Sequence, residues 1–486
     1  MATSAFSGLL GAVNLVAAGP FQTRVPQPAV AYDGTMKVTI IGTGYVGLTT
    51  GTALAYLGHD VTFIDKNEAI IDKLKAGVPT IHEDGLAEIM AAGKRYSTFR
   101  TDIPDLSGTG VVMIAVGTPS KENGDADLSY VDAAATEVAD RVQPGARLVV
   151  VNKSTVPVGS ARHVEGIISR RLATRGVEAE VHVVSNPEFL AEGRAVADTL
   201  YPDRIVIGAD TPFATGIMRE LYAPILEQTF EPPPGSPRPE RYDLPPLITT
   251  TATSAELTKY AANSFLATKI SFINEFAILA EKVGADITEV ARAIGLDQRI
   301  GGKFLNAGIG WGGSCFGKDT KAVLALGNTY DYDLQLVRSA IDVNRRQRLF
   351  VVDKLQRHLK VLRGTTIGLL GLAFKGNTDD MRDSPALTLI EELHERGAVV
   401  RAHDPIAVPS AKRHFPNLPV EYFDDEVSLA QGCDAVVVVT DWNQYRRLPL
   451  TDIAGAMRGN LILDARNLLQ RQQVEGVGLE YVGVGR

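Results

Sequence analysis

Cysteine is scarce in this sequence, with only Cys315 and Cys433 among 486 residues. Two cysteines cannot build a disulfide framework, so we expect a reducing, cytoplasmic compartment. Acidic residues outnumber basic ones, and the formal net charge at pH 7 is −8. General nucleic-acid or membrane-surface binders present a basic face, and we therefore expect no nucleic-acid and no membrane partner.

The sequence also lacks a long apolar run. Its first 35 residues contain the stretch SAFSGLLGAVNLVAAG, which is too short and too rich in glycine to span a membrane. No lysine or arginine precedes this stretch, which makes it a poor signal peptide. We predict that residues 1–35 form a disordered extension and that the first strand begins just after Met36.

Short apolar runs alternate with helical patterns in two regions of the chain. This alternation predicts an α/β fold with doubly wound, mainly parallel sheets. Between the regions, the proline-rich segment 231–246 predicts an exposed loop, and residues 254–283 predict a long helix that stops at Gly284. The predicted architecture is two Rossmann-like doubly wound domains joined by a long central helix and a helical middle domain. The predicted strands include 38–41, 111–116, 147–152, 181–186, 204–208, 365–374, 398–405, 434–442 and 460–467.

The motif GTGYVG follows the first predicted strand and opens a helix. Its glycines, Gly42, Gly44 and Gly47, match the G-x-G-x-x-G fingerprint of dinucleotide binding, and Asp65 ends the next predicted strand. The glycines let the backbone approach a pyrophosphate at the helix N-terminus. The Asp65 carboxylate accepts hydrogen bonds from ribose hydroxyls and disfavours a 2′-phosphate, so NAD is the expected cofactor. The alternative is a glycine-rich turn with Asp65 as a surface cap.

Two further loops, VGTPS and STVPVG, each follow an apolar strand and place Thr118 and Thr155 on the cofactor side. Either threonine alone could be a turn or cap residue, but their shared position favours a site. In SNPEFLAEG, Glu188 and Glu192 are four residues apart and are predicted to share a face of a helical turn. The alternative is a solvated helix start.

The predicted long helix carries Glu256, Lys259 and Asn263 on one face, because they stand three and four residues apart. Small alanine side chains beside them would let another group pack closely against this face. A solvated helix face would show the same pattern.

Cys315 lies in IGWGGSCFGKD, between glycines and a Lys–Asp pair, which suits a loop leading into a helix. A helix N-terminus and a nearby cation such as Lys318 lower the pKa of a thiol and favour the nucleophilic thiolate. The alternative is a small buried core residue. NAD with an activated cysteine predicts the four-electron oxidation of an alcohol to an acid. A hydride leaves the alcohol, cysteine adds to the aldehyde, a second hydride leaves the thiohemiacetal, and water hydrolyses the thioester.

The motifs, taken in order, resemble those of the nucleotide-sugar UDP-glucose/GDP-mannose dehydrogenase family. The resemblance covers roughly residues 36–470 and implies NAD-dependent oxidation of UDP-glucose to UDP-glucuronate. It implies a small-molecule nucleotide-sugar as partner and a homodimer or higher homo-oligomer, and no metal site is predicted. The motifs are GTGYVGL, VGTPS, STVPVG, NPEFLAEG, YPDRIVIG, ELTKYAANSFLATKISFINE, FLNAGIGWGGSCFGKD and LGLAFKGNTDDMRDSP.

The resemblance implies a catalytic set with Cys315 as the nucleophile. Lys259 is expected to stabilise the oxyanion at the sugar C6, with assistance from Asn263. Glu188 and Asp319 are expected to handle protons or to position the hydrolytic water, and which of them is the base stays open.

The resemblance also implies binding positions, and it implies that Thr155 holds a water molecule. Arg299 matches a position that reaches the sugar nucleotide of a neighbouring subunit, and Arg466 matches one near the phosphates. The implied NAD-contacting positions are Gly42, Gly44, Tyr45, Val46, Gly47, Asp65, Thr118, Thr155, Glu192, Lys318 and Arg382. The implied nucleotide-sugar positions are Glu188, Phe189, Leu190, Lys259, Asn263, Arg299, Phe304, Leu305, Asn306, Ala307, Gly308, Gly312, Lys375 and Arg466.

Three domains follow from the resemblance: an NAD-binding Rossmann-like domain over residues 36–248, a central helical dimerisation domain over 249–350, and a UDP-sugar-binding Rossmann-like domain over 351–486. Gly317 and Gly376 depart from the pattern because the family often has proline there.

Ile70 also departs from the pattern, because a basic residue often holds the NAD adenosine phosphates at this position. The same cysteine chemistry would suit another nucleotide-sugar, either GDP-mannose or a UDP-N-acetyl-hexosamine. A one-step hydroxyacid dehydrogenase, which needs no cysteine, is a second alternative. A non-catalytic dinucleotide-binding regulatory protein is a third.

Overall fold

The computed structural model describes residues 34–486. The extension predicted for residues 1–35 lies outside the described residues, except at its last two positions. No helix within residues 34–486 is long and apolar enough to cross a membrane.

The first half of the described chain is built on an eight-stranded sheet. Its strands are β1 Lys37–Ile41, β2 Asp60–Ile64, β3 Ser97–Arg100, β4 Val111–Ile114, β5 Arg147–Asn152, β6 Glu180–Ser185, β7 Ile205–Gly208 and β8 Leu247–Thr250. The strand order is β3-β2-β1-β4-β5-β6-β7-β8, and only β6 and β7 pair antiparallel. The order of the first six strands is that of a doubly wound dinucleotide-binding sheet.

Helices cover both faces of this sheet, which explains its continuous apolar runs. Along β4, Val111 and Met113 pack into one core cluster while Val112 and Ile114 pack into the other. A strand covered on both faces must be apolar at every position. The helices of this half are α1 Tyr45–Tyr56, α2 Glu68–Lys75, α3 Leu86–Ala92, α4 Ser129–Arg141, α5 Ser160–Arg175, α6 Ala195–Leu200, α7 Pro212–Leu221 and α8 Ala223–Glu227.

Long helices form the middle of the chain. The longest, α9 (Ala252–Val283), begins after Thr251, whose side chain accepts the Ser254 N–H. It ends at Gly284, which adopts the left-handed conformation with a φ of 75°. The predicted long helix and its glycine stop are confirmed, because glycine takes this conformation without steric cost. The helices that follow are α10 Ile287–Gly295, α11 Phe316–Thr329 and α12 Gln335–Leu359.

The last part of the chain forms a second, fully parallel sheet. Its strands are β9 Thr366–Leu370, β10 Val399–His403, β11 Glu421–Tyr422, β12 Ala435–Val438, β13 Leu461–Asp464 and β14 Glu480–Gly483, in the order β11-β10-β9-β12-β13-β14. Helices again alternate with strands, as predicted for an α/β fold. They are α13 Pro385–Glu395, α14 Val408–His414, α15 Glu426–Ala430, α16 Leu450–Ala456 and α17 Arg471–Glu475.

The proline-rich segment 231–246 forms no helix or strand. It is anchored to the first half, because the Tyr201 hydroxyl donates to the Ser236 carbonyl at 3.0 Å. Two of the predicted domain boundaries fall inside elements: 248/249 lies within β8 and 350/351 lies within α12. The chain therefore passes between its regions through continuous structure at both points.

Candidate active site

The cofactor side of the site begins at the turn between β1 and α1. Gly42 has a φ of +97°, and a Cβ there would meet the Ala115 carbonyl oxygen. A Cβ on Gly47 would collide with the Gly42 carbonyl oxygen, whereas a Cβ on Gly44 would meet open space. The turn is therefore compact on its protein side and open at the start of α1, which fits a bound pyrophosphate.

Asp65 directly follows β2 beside this turn. Its Oδ2 accepts a hydrogen bond from the Thr43 hydroxyl at 2.7 Å, and its Oδ1 accepts the Asn67 N–H at 3.0 Å. The carboxylate is thereby fixed at the carboxyl edge of the sheet, where a ribose would lie. At the same edge, the Thr118 hydroxyl donates to the Thr155 carbonyl at 2.8 Å. The two threonine loops predicted to share a site therefore meet.

Lys259 and Glu188 form a buried ion pair. Lys259 Nζ lies 2.7 Å from Glu188 Oε1, and the two side chains are 4% and 6% exposed. Burial favours a raised pKa for Glu188. Two effects outweigh burial, namely the charge and hydrogen bond of Lys259 and the hydrogen bond from the Leu190 N–H, and they hold the pKa of Glu188 below its usual value. Burial likewise favours a lower pKa for Lys259, but Glu188 and other nearby anionic groups raise it. Both partners are therefore ionised at neutral pH.

Asp319, on the first turn of α11, is the second buried carboxylate of the site. Its Oδ2 accepts a hydrogen bond from Asn263 Nδ2 at 2.6 Å, and its Oδ1 accepts one from Lys318 Nζ at 2.6 Å. Asn263 and Lys259 lie on one face of α9 and are buried there. The predicted shared face is confirmed, and it faces the protein interior rather than solvent.

Cys315 is the N-cap of α11, as predicted for a loop that leads into a helix, and its side chain is exposed. Protein surrounds the thiol on its other sides, and this desolvation raises the pKa of Cys315 above its usual value, although the Lys259 charge opposes the effect. The predicted lowering of the thiol pKa is therefore wrong for the protein alone. The thiol needs a base to accept its proton when it attacks. The other cysteine, Cys433, is buried.

Glu192 lies where the two halves of the chain meet. Its Oε1 accepts a hydrogen bond from Ser314 Oγ at 3.4 Å, and its Oε2 accepts one from Thr378 Oγ1 at 3.3 Å. Arg382 Nη2 lies 3.5 Å from Oε1, and the Tyr45 hydroxyl lies 3.2 Å from Thr378 Oγ1. Burial raises the pKa of Glu192 to about 7, so this carboxyl titrates near neutral pH. The predicted NAD-side residues thus contact the loop that carries the cysteine.

Glu188 and Glu192 do not share a helical turn, which corrects the sequence prediction. The segment 186–194 forms no helix, and α6 begins only after it. Glu83 accepts the N–H of Gly193 at 2.7 Å and that of the first α6 residue at 2.5 Å. These bonds satisfy the first N–H of α6 and fix the end of the preceding loop. Sequence reasoning missed Glu83, since an acid in a polar loop carries no local signal of burial.

Glu256 joins three elements of the site and is 4% exposed. Its carboxylate accepts the Gly159 N–H at 2.7 Å, the Ala161 N–H at 2.8 Å and the Ser185 hydroxyl at 2.9 Å. The first two donors lie at the start of α5, just after STVPVG, and the third ends β6, just before NPEFLAEG. One side chain of α9 therefore holds both loops in place.

Models of one protein family match most of this chain. The UDP-glucose/GDP-mannose dehydrogenase family matches with its NAD binding domain at residues 36–226, its central domain at 253–346 and its UDP binding domain at 368–471. The chain belongs to this family. As a family member with the glycine turn described above, it is an NAD-dependent dehydrogenase.

Similar proteins cover nearly the whole chain. UDP-glucose 6-dehydrogenase TuaD from Bacillus subtilis (strain 168) is 42% identical over 453 residues, which is 93% of each chain. UDP-glucose 6-dehydrogenase from Rhizobium meliloti (strain 1021) is 43% identical over 459 residues, which is 93% of this chain and 100% of the relative. The solved UDP-glucose dehydrogenase from Pyrobaculum islandicum is 36% identical with a TM-score of 0.81, covering 94% of this chain and 100% of that one.

The glycine turn of this dehydrogenase leads to a paired prediction. Gly44→Ala should leave the fold intact, because its methyl group enters open space, but should raise the KM for NAD⁺ about tenfold or more by crowding the pyrophosphate. Gly47→Ala should instead lower the free energy of unfolding by about 1–3 kcal/mol, because its methyl group strikes protein backbone. Thermal unfolding and NAD⁺ saturation curves separate the two effects. Wild-type NAD⁺ affinity in the Gly44 variant would contradict this assignment.

The segment 304–308 and Gly312 contact the middle helices and the second half of this dehydrogenase. The Gly308 N–H donates to Asn274 Oδ1 and its carbonyl accepts from Gln347 Nε2, both at 2.8 Å. A Cβ on Gly312 would strike the Asp383 carbonyl. Leu305 and Ala307 are buried, while Phe304 and Asn306 are exposed. Phe304 and Asn306 are thus the members of the segment with exposed side chains.

Other predicted substrate positions differ in what they already contact. Phe189 lies under the Arg204 guanidinium, whose carbon is 3.6 Å from the ring centroid. Arg466 donates to three backbone carbonyls at 2.7 to 3.1 Å, so part of its donor capacity holds loops together. Lys375 lies near the Glu192 carboxylate, but burial lowers its pKa. Arg299 is 88% exposed and pairs only with Asp297, outside this cluster in the described chain.

The structure explains one family departure. The Gly376 N–H donates to Asp441 Oδ1 at 2.9 Å, a bond that proline could not make. Gly317 occupies the first turn of α11, where proline would also fit, so its glycine has no evident structural cause. Ile70, on the first turns of α2, packs against the core of the first half.

Proposed function

We propose that this protein oxidises UDP-glucose to UDP-glucuronate, with two NAD⁺ reduced per sugar, through covalent intermediates on Cys315. The observation that carries the proposal is the meeting of Cys315, the Lys259–Glu188 pair and the Asn263–Asp319–Lys318 group where the NAD-side loops end. The names of the similar proteins support UDP-glucose as substrate. The shortage of cysteine supports a cytoplasmic location.

The first oxidation removes a hydride from C6 and a proton from its hydroxyl, which leaves an aldehyde. The glycine turn and Asp65 would hold NAD⁺, which would supply the hydride acceptor for both oxidations. Lys259 faces the C6 oxygen and stabilises the negative charge that develops there, with Asn263 beside it. Glu188, ionised against Lys259, would receive the proton. Because two charges cancel within the pair, removal of either partner would disturb both.

Cys315 then bonds to the aldehyde carbon, and the thiol proton passes by way of a carboxylate to the aldehyde oxygen, which becomes the hydroxyl of the thiohemiacetal. Loss of a second hydride and the hydroxyl proton gives a thioester. Water adds to the thioester carbon and the carbon–sulfur bond breaks, which restores the cysteine and releases the acid. Asp319, fixed by Asn263 and Lys318, and Glu188 are the two carboxylates positioned to take the water proton. Thr155, in the loop after β5, would hold that water.

The test is the NADH yield from purified protein with limiting UDP-glucose. Two NADH per sugar, with UDP-glucuronate as product, is the expected result. UDP-N-acetylglucosamine and GDP-mannose serve as comparison substrates, and each should give less than about 1% of the UDP-glucose rate, since one methylene-sized mismatch already costs 10–200-fold. One NADH per sugar would overturn the four-electron proposal. Preference for a comparison substrate would overturn the assignment of UDP-glucose.

We also propose a homodimer built on α9. Apolar side chains on its outer surface are exposed, among them Phe265 at 65%, Phe272 at 47% and Val283 at 68%. Contiguous exposed apolar residues of this size mark interaction surfaces. In such a dimer, Arg299 would be free to reach the partner's sugar nucleotide.

The double variant Phe272→Glu, Phe276→Glu is expected to shift the mass in solution from twice 52.1 kDa to 52.1 kDa. Two carboxylates from each subunit would be buried at the interface without a cationic partner. Light scattering after size-exclusion chromatography measures the mass. Tyr130→Glu, at another exposed aromatic residue on α4, is the matched control and should leave the mass unchanged. A dimeric double variant would place the interface elsewhere.

A further inference from the structure

Lys153 is a buried lysine of the site without a carboxylate partner among the described residues. It lies between the end of β5 and Thr155 and is 7% exposed. Its Nζ donates to Asn186 Oδ1 at 3.0 Å and to the Tyr222 hydroxyl at 3.4 Å. Buried charges are normally paired, and an unpaired one needs an explanation.

Asn186 is held rigidly beneath Lys153. Its Oδ1 also accepts the Tyr222 hydroxyl at 2.7 Å, and its Nδ2 donates to the Val206 carbonyl at 2.8 Å. Asn186 stands two residues before Glu188 on the same loop. Asn186 therefore keeps Lys153 close to Glu188, the carboxylate that pairs with Lys259.

The charged groups that act on Lys153 are Glu188, on the loop after β6, and Lys259, on α9. Tyr222, packed against it between α7 and α8, stays protonated because burial raises its pKa. Lys259 and Glu188 alone carry no net charge, so the pair attracts a developing anion weakly. Lys153, Lys259 and Glu188 together carry a single net positive charge, and that charge persists while Lys153 remains protonated.

We propose that Lys153 is a positioning residue whose ammonium restores the positive charge that Glu188 cancels on Lys259, so that the cluster stabilises negative charge on Cys315 and on the C6 oxygen. The effect on the C6 oxygen rests on the proposed function, because that oxygen belongs to UDP-glucose. The effect on the Cys315 sulfur does not depend on the substrate. Burial lowers the pKa of Lys153 to about 8. The stabilisation is thus present below pH 8 and is lost as the pH rises through it.

The test compares wild type with Lys153→Gln and Lys153→Met. Glutamine keeps a donor for Asn186 without the charge, while methionine keeps only the length. Two rates are measured from pH 6 to pH 10: alkylation of Cys315 by iodoacetamide in the protein alone, and kcat/KM for UDP-glucose. The ratio of wild type to either variant should be about tenfold at pH 6–7, since a nearby charge shifts a pKa by about one unit, and should approach one above pH 9.

A ratio that does not change with pH, or a glutamine variant equal to wild type, would show that Lys153 only supports the loop and would overturn the proposal. Unfolding curves check that each variant folds. The alkylation rates test the role of Lys153 without any substrate. A failure to oxidise UDP-glucose would therefore refute the proposed function but not this proposal. Cys315→Ser shows that the alkylated thiol is the intended one, because Cys433 is buried.

Discussion

Replacing Cys315 with serine is expected to lower turnover of UDP-glucose by about 10⁴-fold or more, because a hydroxyl is a far weaker nucleophile than a thiolate. The first hydride transfer does not need the sulfur. A serine variant should therefore release at most one NADH per UDP-glucose in a single turnover, where wild type releases two. Rapid mixing with absorbance at the NADH band, followed by product analysis, measures both quantities. Cys315 caps α11 without a side-chain bond to its backbone, so the fold should be retained.

Cys433→Ser is the matched control for this experiment. Cys433 is buried in the second sheet's core, where its Sγ donates to the Leu429 carbonyl at 3.1 Å. A serine hydroxyl can make the same bond, and both NADH should still form. If the Cys315 variant also yields two NADH, the covalent route is wrong and direct oxidation of a hydrated aldehyde takes its place.

Lys259→Met is expected to reduce kcat by about 10²–10³-fold, the usual effect of losing one donor to a developing oxyanion. It should also destabilise the protein by about 3–5 kcal/mol, because Glu188 would remain buried with its direct partner gone. Removal of Lys259 should raise the pKa of Glu188, since that lysine is what outweighs burial there. A carboxylate with a raised pKa loses stability as the pH increases through that pKa. The variant should therefore unfold more readily at pH 8 than at pH 5.

Lys282→Met, at an exposed lysine on the same helix, is the control for the loss of charge. It should change neither kcat nor stability by a measurable amount. The double variant Lys259→Met, Glu188→Gln removes the orphaned carboxylate and should recover stability but not kcat. Recovery of kcat in the double variant would show that Lys259 serves only to neutralise Glu188.

The features that sequence reasoning predicted well are those with a local cause. The strands buried on both faces appear as apolar runs, and α9 ends at Gly284 because only that position needs a left-handed backbone. The glycine turn and the N-cap position of Cys315 are likewise set by neighbours in sequence. The four-residue spacing of Glu188 and Glu192 predicts a shared helical turn that does not form, and the end of their loop is bonded instead to Glu83, more than 100 residues earlier in the chain.

The missed elements and side chains depend on distant partners. β3 alternates between half-buried and exposed residues at a sheet edge, so it has no apolar run to detect. Lys153 is an ordinary charged residue in sequence, and its burial becomes visible only once β5 and β6 are packed against α9. The thiol pKa of Cys315 was misjudged for the same reason, since a helix N-terminus is local but desolvation by surrounding protein is not.

The hydrogen bonds of Glu256 have a consequence for motion. They span 2.7 to 2.9 Å and tie α5, β6 and α9 into one body that carries Thr155, Glu188, Lys259 and Asn263 together. The contacts that Glu192 makes with Ser314, Thr378 and Arg382 are longer, at 3.3 to 3.5 Å. An opening of the site to exchange substrate and product would therefore separate these longer Glu192 contacts first, while Glu188 and Lys259 move together with the cofactor half.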